Sequence, residues 1–66
     1  MPATIRTVGI KPEMQQQVTV ELQVSTPSGG RHTFPMRIPD QGSAGANEDE
    51  ARRHLKVFCQ EALEAL

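Results

Sequence analysis

The chain has no tryptophan, no tyrosine and only two phenylalanines, so any core it forms must rest on aliphatic side chains. It has one cysteine, Cys59, which excludes an intrachain disulfide. That cysteine and the two histidines fall short of the four Cys or His ligands of a structural zinc site. No metal or other cofactor is expected. No apolar run approaches the ~20 residues of a bilayer-spanning helix. Met1 is followed by a mixed polar stretch, so no signal peptide is expected either. Neither sign of charge dominates: seven Lys and Arg against eight Asp and Glu leave a net charge of −1. The basic excess that marks bulk-charge binding of nucleic acid is missing. There is no internal repeat, and the lone cysteine fits a reducing, cytoplasmic setting.

What is present suffices for one small domain over 1–66. Domains of about 55–65 residues bury only about 60% of their unfolded surface. With disulfide and metal set aside, self-association is the remaining source of added stability.

The fold expected is α+β: a three-stranded antiparallel meander with one C-terminal helix on one face. Residues 3–10 are rich in β-branched side chains and read as the first strand. Ala3, Ile5 and Thr7 share one phase, Val8 and Ile10 the other, and Gly9 between them suggests a bulge or the strand's end. Lys11-Pro12-Glu13 reads as a turn. Over 18–25, Val18, Val20, Leu22 and Val24 alternate with Thr19, Glu21, Gln23 and Ser25, the period of a half-buried strand. Thr26-Pro27-Ser28-Gly29-Gly30 then suits a three-residue hairpin loop with Gly29 left-handed. Closing it between Thr26 and Gly30 sets Val24 opposite His32, Leu22 opposite Phe34, Val20 opposite Met36 and Val18 opposite Ile38. Pro35 then falls inside the third strand, over 31–38. Proline cannot donate to a ladder, so this strand belongs at an edge and the order is 1-2-3.

A linker is expected over 39–46 and a helix over about 48–65. Asn47 and Glu50 resemble a capping box, and Glu48, Asp49 and Glu50 suit the positive end of the helix dipole. Ala51, Leu55, Phe58, Cys59, Ala62 and Leu66 form an apolar stripe at helical spacing. Glu48–Arg52 and Asp49–Arg53 are favourable pairs four apart. A helix roughly 28 Å long overhangs strands of about 17–20 Å, with Val57 off the stripe and Leu63 at its margin.

Little in the residues points to catalysis, and no enzyme activity is expected. The glycine-rich segments around Gly29 and Gly42 read as turn and linker, since the helix after them opens on acidic residues that repel phosphate. Cys59 reads as a small buried hydrophobe beside Phe58, both phenylalanines being placed in the core. His54 and Cys59 are five apart, a poor spacing for ligands on one helix face. His32 reads as a partly covered side chain at the hairpin tip. The order strand-strand-strand-helix resembles a double-stranded-RNA-binding domain lacking its first helix. That resemblance implies a lysine cluster opening the last helix, where this chain has Asn47-Glu48-Asp49-Glu50. The departure falls on the positions that would touch phosphate.

Two functional readings follow. One is a protein-interaction module, a homodimer or a subunit with a protein partner, using Ile5 on the free edge of the first strand and Val57, Leu63 and Leu66 on the helix. The other is a nucleic-acid-binding accessory protein, using Arg6, Arg31 and Arg37 on the outer sheet face.

Overall fold

Alternating apolar and polar side chains drive the chain into three ten-residue strands, which the computed structural model describes together with the rest of residues 2–66. β1 spans Thr4–Glu13, β2 Gln17–Thr26 and β3 Gly30–Pro39; α1 spans Ala44–Ala65. The strands form one antiparallel sheet in the order β1-β2-β3, with α1 across one face. The β2–β3 register is the one read from loop closure, from Thr26 opposite Gly30 down to Val18 opposite Ile38. Pro35 lies on the edge strand opposite Glu21.

β1 is longer than its composition suggested. Lys11, Pro12 and Glu13 are strand, not turn, and pair with Thr19, Val18 and Gln17. The reversal falls on Met14-Gln15-Gln16, where Gln15 and Gln16 are left-handed, with φ of 62° and 58°. Two consecutive residues at positive φ make the turn whose twist matches a tight hairpin, usually reserved for Asn-Gly. A glutamine pair gives no sequence signal of it. The register shifts between Thr7 and Gly9, leaving Val8 as the extra residue of a bulge. The bulge resolves the broken alternation of β1: beyond it, Ile10 lies opposite Val20, on the same inner face as Ile5 and Thr7. In the β2–β3 hairpin the left-handed residue is Gly30, at φ 79°, rather than Gly29. Gly29 is needed for closeness: its N–H donates to Thr26 Oγ1 at 2.9 Å, and a Cβ there would stand 2.6 Å from that oxygen.

The core lies between α1 and the inner face of β2 and β3. Val18, Val20, Leu22, Ile38, Ala51 and Leu55 are buried, with Val24, Phe34 and Met36 packed against them. His32, in the inward phase but at the hairpin tip, is exposed, its Nε2 3.1 Å from the Gly29 carbonyl.

The helix starts earlier than its acidic run. Its N-cap is Ser43, whose Oγ accepts from the Ala46 N–H at 3.2 Å, so the first turn carries no acidic residue. Asn47 is therefore not the cap but a buried residue of the helix. Its Oδ1 accepts from the Gln41 N–H at 2.7 Å and its Nδ2 donates to Asp40 Oδ1 at 3.3 Å. The Asp40 N–H donates to the Gln16 carbonyl at 2.8 Å. One side chain thus ties the helix start to the connection from β3, and that connection is tied to the β1–β2 turn.

Only the first two residues of the apolar stripe, Ala51 and Leu55, are buried. Beyond Leu55, Phe58, Cys59, Ala62 and Leu66 are exposed, contrary to a core role for Phe58 and Cys59. Phe58 stays half-covered and makes a tilted stack on Phe34 at 6.0 Å between ring centres. Length is not the reason: a ten-residue strand and this helix each span about 33 Å. The helix packs its first turns over β2 and β3 and then stands off the sheet.

Two stability measurements follow. Asn47→Ala leaves the Gln41 N–H without its partner, and urea unfolding is expected to show a loss of about 1–3 kcal/mol, more than Ser43→Ala at about 1 kcal/mol. Gln16→Gly relieves a left-handed side chain and is expected to raise stability by about 1 kcal/mol.

Candidate functional site

The sheet and helix leave two surfaces with distinct chemistry. The first is on the inner face. α1 covers β2 and β3, and β1 meets it mainly through Arg52, whose Nη2 donates to the Ile5 carbonyl at 3.1 Å. Beside the helix, Ile5 and Ile10 remain 40% and 37% exposed. Between β1 and the second half of α1 runs an open groove of about 490 Å³. Ile5, Val24, Leu55, Cys59 and Leu63 line it together with Arg52, Lys56 and Gln60, and the surface they present to it is almost wholly apolar.

Of the candidate interface residues, Ile5 and Leu63 meet in this groove. Val57 is not in the groove: it borders one concavity with Arg53, His54, Phe58 and Glu61, and a second with Gln60, Glu61, Leu63 and Glu64, so it neighbours Leu63 but not Ile5. Leu66 is fully exposed at the helix C-cap. As expected, β1 is an edge of the sheet with no strand paired beyond it. Pro12 lies within β1 and Val8 is bulged, and both devices discourage edge-to-edge pairing. Proline therefore marks both edges of the sheet, and what stays open is a face. Val24, Leu55 and Cys59 belong to this groove and were missed, and Ile10, outside its lining, shares the inner face of β1. The one sequence signal for Ile10 was Gly9, whose bulge returns it to the inner phase.

The second surface is the outer sheet face. Arg37 is held by Glu13, with 3.0 Å between Nη2 and Oε1, and Thr19 Oγ1 donates to the same carboxylate at 3.2 Å. Lys11 pairs with Glu21 at 3.4 Å. Arg6 and Arg31 lie at the other end, and among the described residues neither has a carboxylate within ion-pair distance. The three candidate arginines are thus split: Arg6 and Arg31 share one shallow concavity, and Arg37 is engaged elsewhere.

On the helix, the expected pairs Glu48–Arg52 and Asp49–Arg53 do not form, because Arg52 is drawn to β1 and Arg53 to Glu50. Arg53 donates twice to Glu50, Nε at 2.9 Å and Nη2 at 2.7 Å, and His54 Nε2 stands 3.1 Å from the same carboxylate. The Arg53 hydrogen bonds, with a smaller contribution from His54, lower the Glu50 pKa to about 2. The Asp40 carboxyl is also lowered, first by the Gly42 N–H and then by Asn47. Neither histidine lies in the groove with Cys59. Among the described residues no three His, Cys, Asp or Glu side chains gather as metal ligands, and no helix is long and apolar enough to cross a membrane.

In comparisons with known proteins, the chain matches no family model, no curated protein and no solved structure.

The pH dependence follows from the two depressed carboxyls. A folded-state pKa below the unfolded value adds stability that is full above the unfolded pKa and fades as pH falls through the folded one. Urea midpoints are expected to hold down to about pH 4.5 and then decline toward pH 2. Glu50→Gln should make that decline shallower, with Asp40 supplying what remains; an unchanged slope would show that the Glu50–Arg53 pair does not govern it.

Proposed function

We propose that this chain is a non-catalytic interaction module that works as a homodimer, with a second copy seated in the groove between β1 and α1. The observation that carries the reading is that groove: an open, apolar recess flanked by a helix end that projects Leu63, itself 72% exposed. Recess and projection are contiguous, as a two-fold interface requires, because the same patch must serve both partners. Each copy lays its helix end into the other's recess, covering Ile5, Cys59 and Leu63 together.

Energetics favours a second copy as the occupant. The core has six buried apolar side chains, a small number for a chain of 66 residues. Apolar surface removed from water stabilises by roughly 25 cal/mol per Å², and closing the groove adds to a fold that is otherwise marginal at this size. The non-catalytic reading rests on the groove's composition. Cys59 has no histidine or carboxylate beside it in the lining, so no base is positioned to activate a nucleophile there.

The test uses Cys59, exposed in the single chain, as a reporter. Its reaction rate with a thiol reagent is expected to fall as protein concentration rises, in step with a monomer-to-dimer shift in sedimentation. Leu63→Asp should abolish both effects and leave the helical circular dichroism intact. A chain that sediments as a monomer throughout, with Cys59 equally reactive at every concentration, would defeat the proposal.

A further inference from the structure

The outer face of the sheet is divided by charge. Ladder pairing sets its side chains in rows across the three strands. Glu13, Gln17 and Pro39 form one end row, followed by Lys11, Thr19 and Arg37, then Gly9, Glu21 and Pro35. At the other end lie Arg6, Gln23 and Thr33, and finally Thr4, Ser25 and Arg31. Among the described residues, the only carboxylates of the face, Glu13 and Glu21, belong to the first end, where they hold Arg37 and Lys11. The opposite corner keeps two arginines with no counter-charge.

These two stand diagonally on either side of β2, so that Gln23 and Ser25 lie between them. Two strand spacings of about 4.8 Å and one same-face step of about 6.8 Å put their Cβ atoms roughly 12 Å apart. That separation lies within the combined reach of two arginine side chains, so both guanidinium groups can close on one group held over Gln23 and Ser25. Thr4, Arg6, Gln23, Ser25 and Arg31 line a shallow polar concavity of about 310 Å³. Every one of them carries a side-chain N–H or O–H donor.

We propose that this corner is an oxyanion site that takes the phosphoryl group of a small phosphate ester. The guanidinium forks bind its oxygens from two sides, the geometry that makes arginine a phosphate ligand. The Thr4 and Ser25 hydroxyls and the Gln23 amide donate to what remains. The extent of the site argues for a single phosphoryl group rather than a run of nucleic-acid backbone. The next arginine along the face is engaged by Glu13. Neither phenylalanine lies on this face, so there is no platform on which a base could stack. The site is on the side of the sheet away from α1 and does not depend on self-association.

The experiment is a nitrogen-15 NMR titration of the full chain at constant ionic strength, with inorganic phosphate, phenyl phosphate and a short oligothymidylate in separate arms. Saturable shifts are expected at the backbone amides of Thr4 and Ser25, the Gln23 side-chain amide and the Nε groups of Arg6 and Arg31, for inorganic and phenyl phosphate alike. Arg6→Gln and Arg31→Gln should each weaken phenyl phosphate binding by about tenfold, while Arg37→Gln leaves it unchanged. These side chains are exposed, and the unperturbed remainder of each spectrum confirms folding. The proposal is overturned if neither phosphate moves these signals saturably, or if Arg37→Gln weakens binding as much as the other two. Tight binding of the oligonucleotide alone, with shifts running on to Arg37, would overturn it in favour of a nucleic-acid surface.

Discussion

Asn47 decides where the helix lies, and most of what is distinctive in this protein follows from that. It is the one buried polar side chain among the described residues. Its amide holds Gln41 and Asp40, and Asp40 in turn holds the Gln16 carbonyl of the β1–β2 turn. A buried amide left without partners is costly, so this network tolerates little displacement. The connection from Pro39 to Ala44 is short, and its anchorage sets the first turns of α1 over the ends of β2 and β3.

A single helix, about 10–12 Å across with its side chains, cannot cover both the β2–β3 side of a three-stranded sheet and β1. Anchored where it is, α1 leaves Ile5 and Ile10 on the inner face of β1 partly uncovered. The bulge at Val8 makes that exposure matter. Without the extra residue, Ile10 would turn to the outer face; with it, Ile5 and Ile10 both line the uncovered side. Arg52 bridges the gap by a hydrogen bond to the Ile5 carbonyl, and the space beyond it is the apolar groove. The tether at Asn47 thus sets the groove proposed for self-association, while the bulge keeps Ile10 on the same inner face.

The two faces of the sheet are chemically independent. The inner face is a problem of burial, in which apolar side chains lack cover. The outer face is a problem of charge, in which two carboxylates satisfy two cations at one end and none remain for Arg6 and Arg31. β2 is the common element, contributing Val24 to the groove and Gln23 and Ser25 to the polar corner. Period-two geometry alone lets neighbouring residues of one strand serve opposite surfaces.

The meander, its order and the β2–β3 register were legible in the residues, because each rests on local rules. Alternation from Val18 to Val24 defines a face, a loop closed between Thr26 and Gly30 defines a register, and Pro35 defines an edge. The β1–β2 turn was not, because Gln15 and Gln16 adopt left-handed backbone that their side chains do not advertise. The helix shows where propensity stops informing. Its stripe from Ala51 to Leu66 states which side is apolar, but not how much of that side meets the sheet, and cover ends at Leu55. For the same reason Ile5 and Leu63 could be nominated singly, yet nothing in the sequence joined them or separated Val57 from Ile5. Strand pairing and hairpin closure act over a few residues and are written in order along the chain. The lateral seat of a helix depends on one buried amide and the loop it holds, and only the folded molecule brings those together.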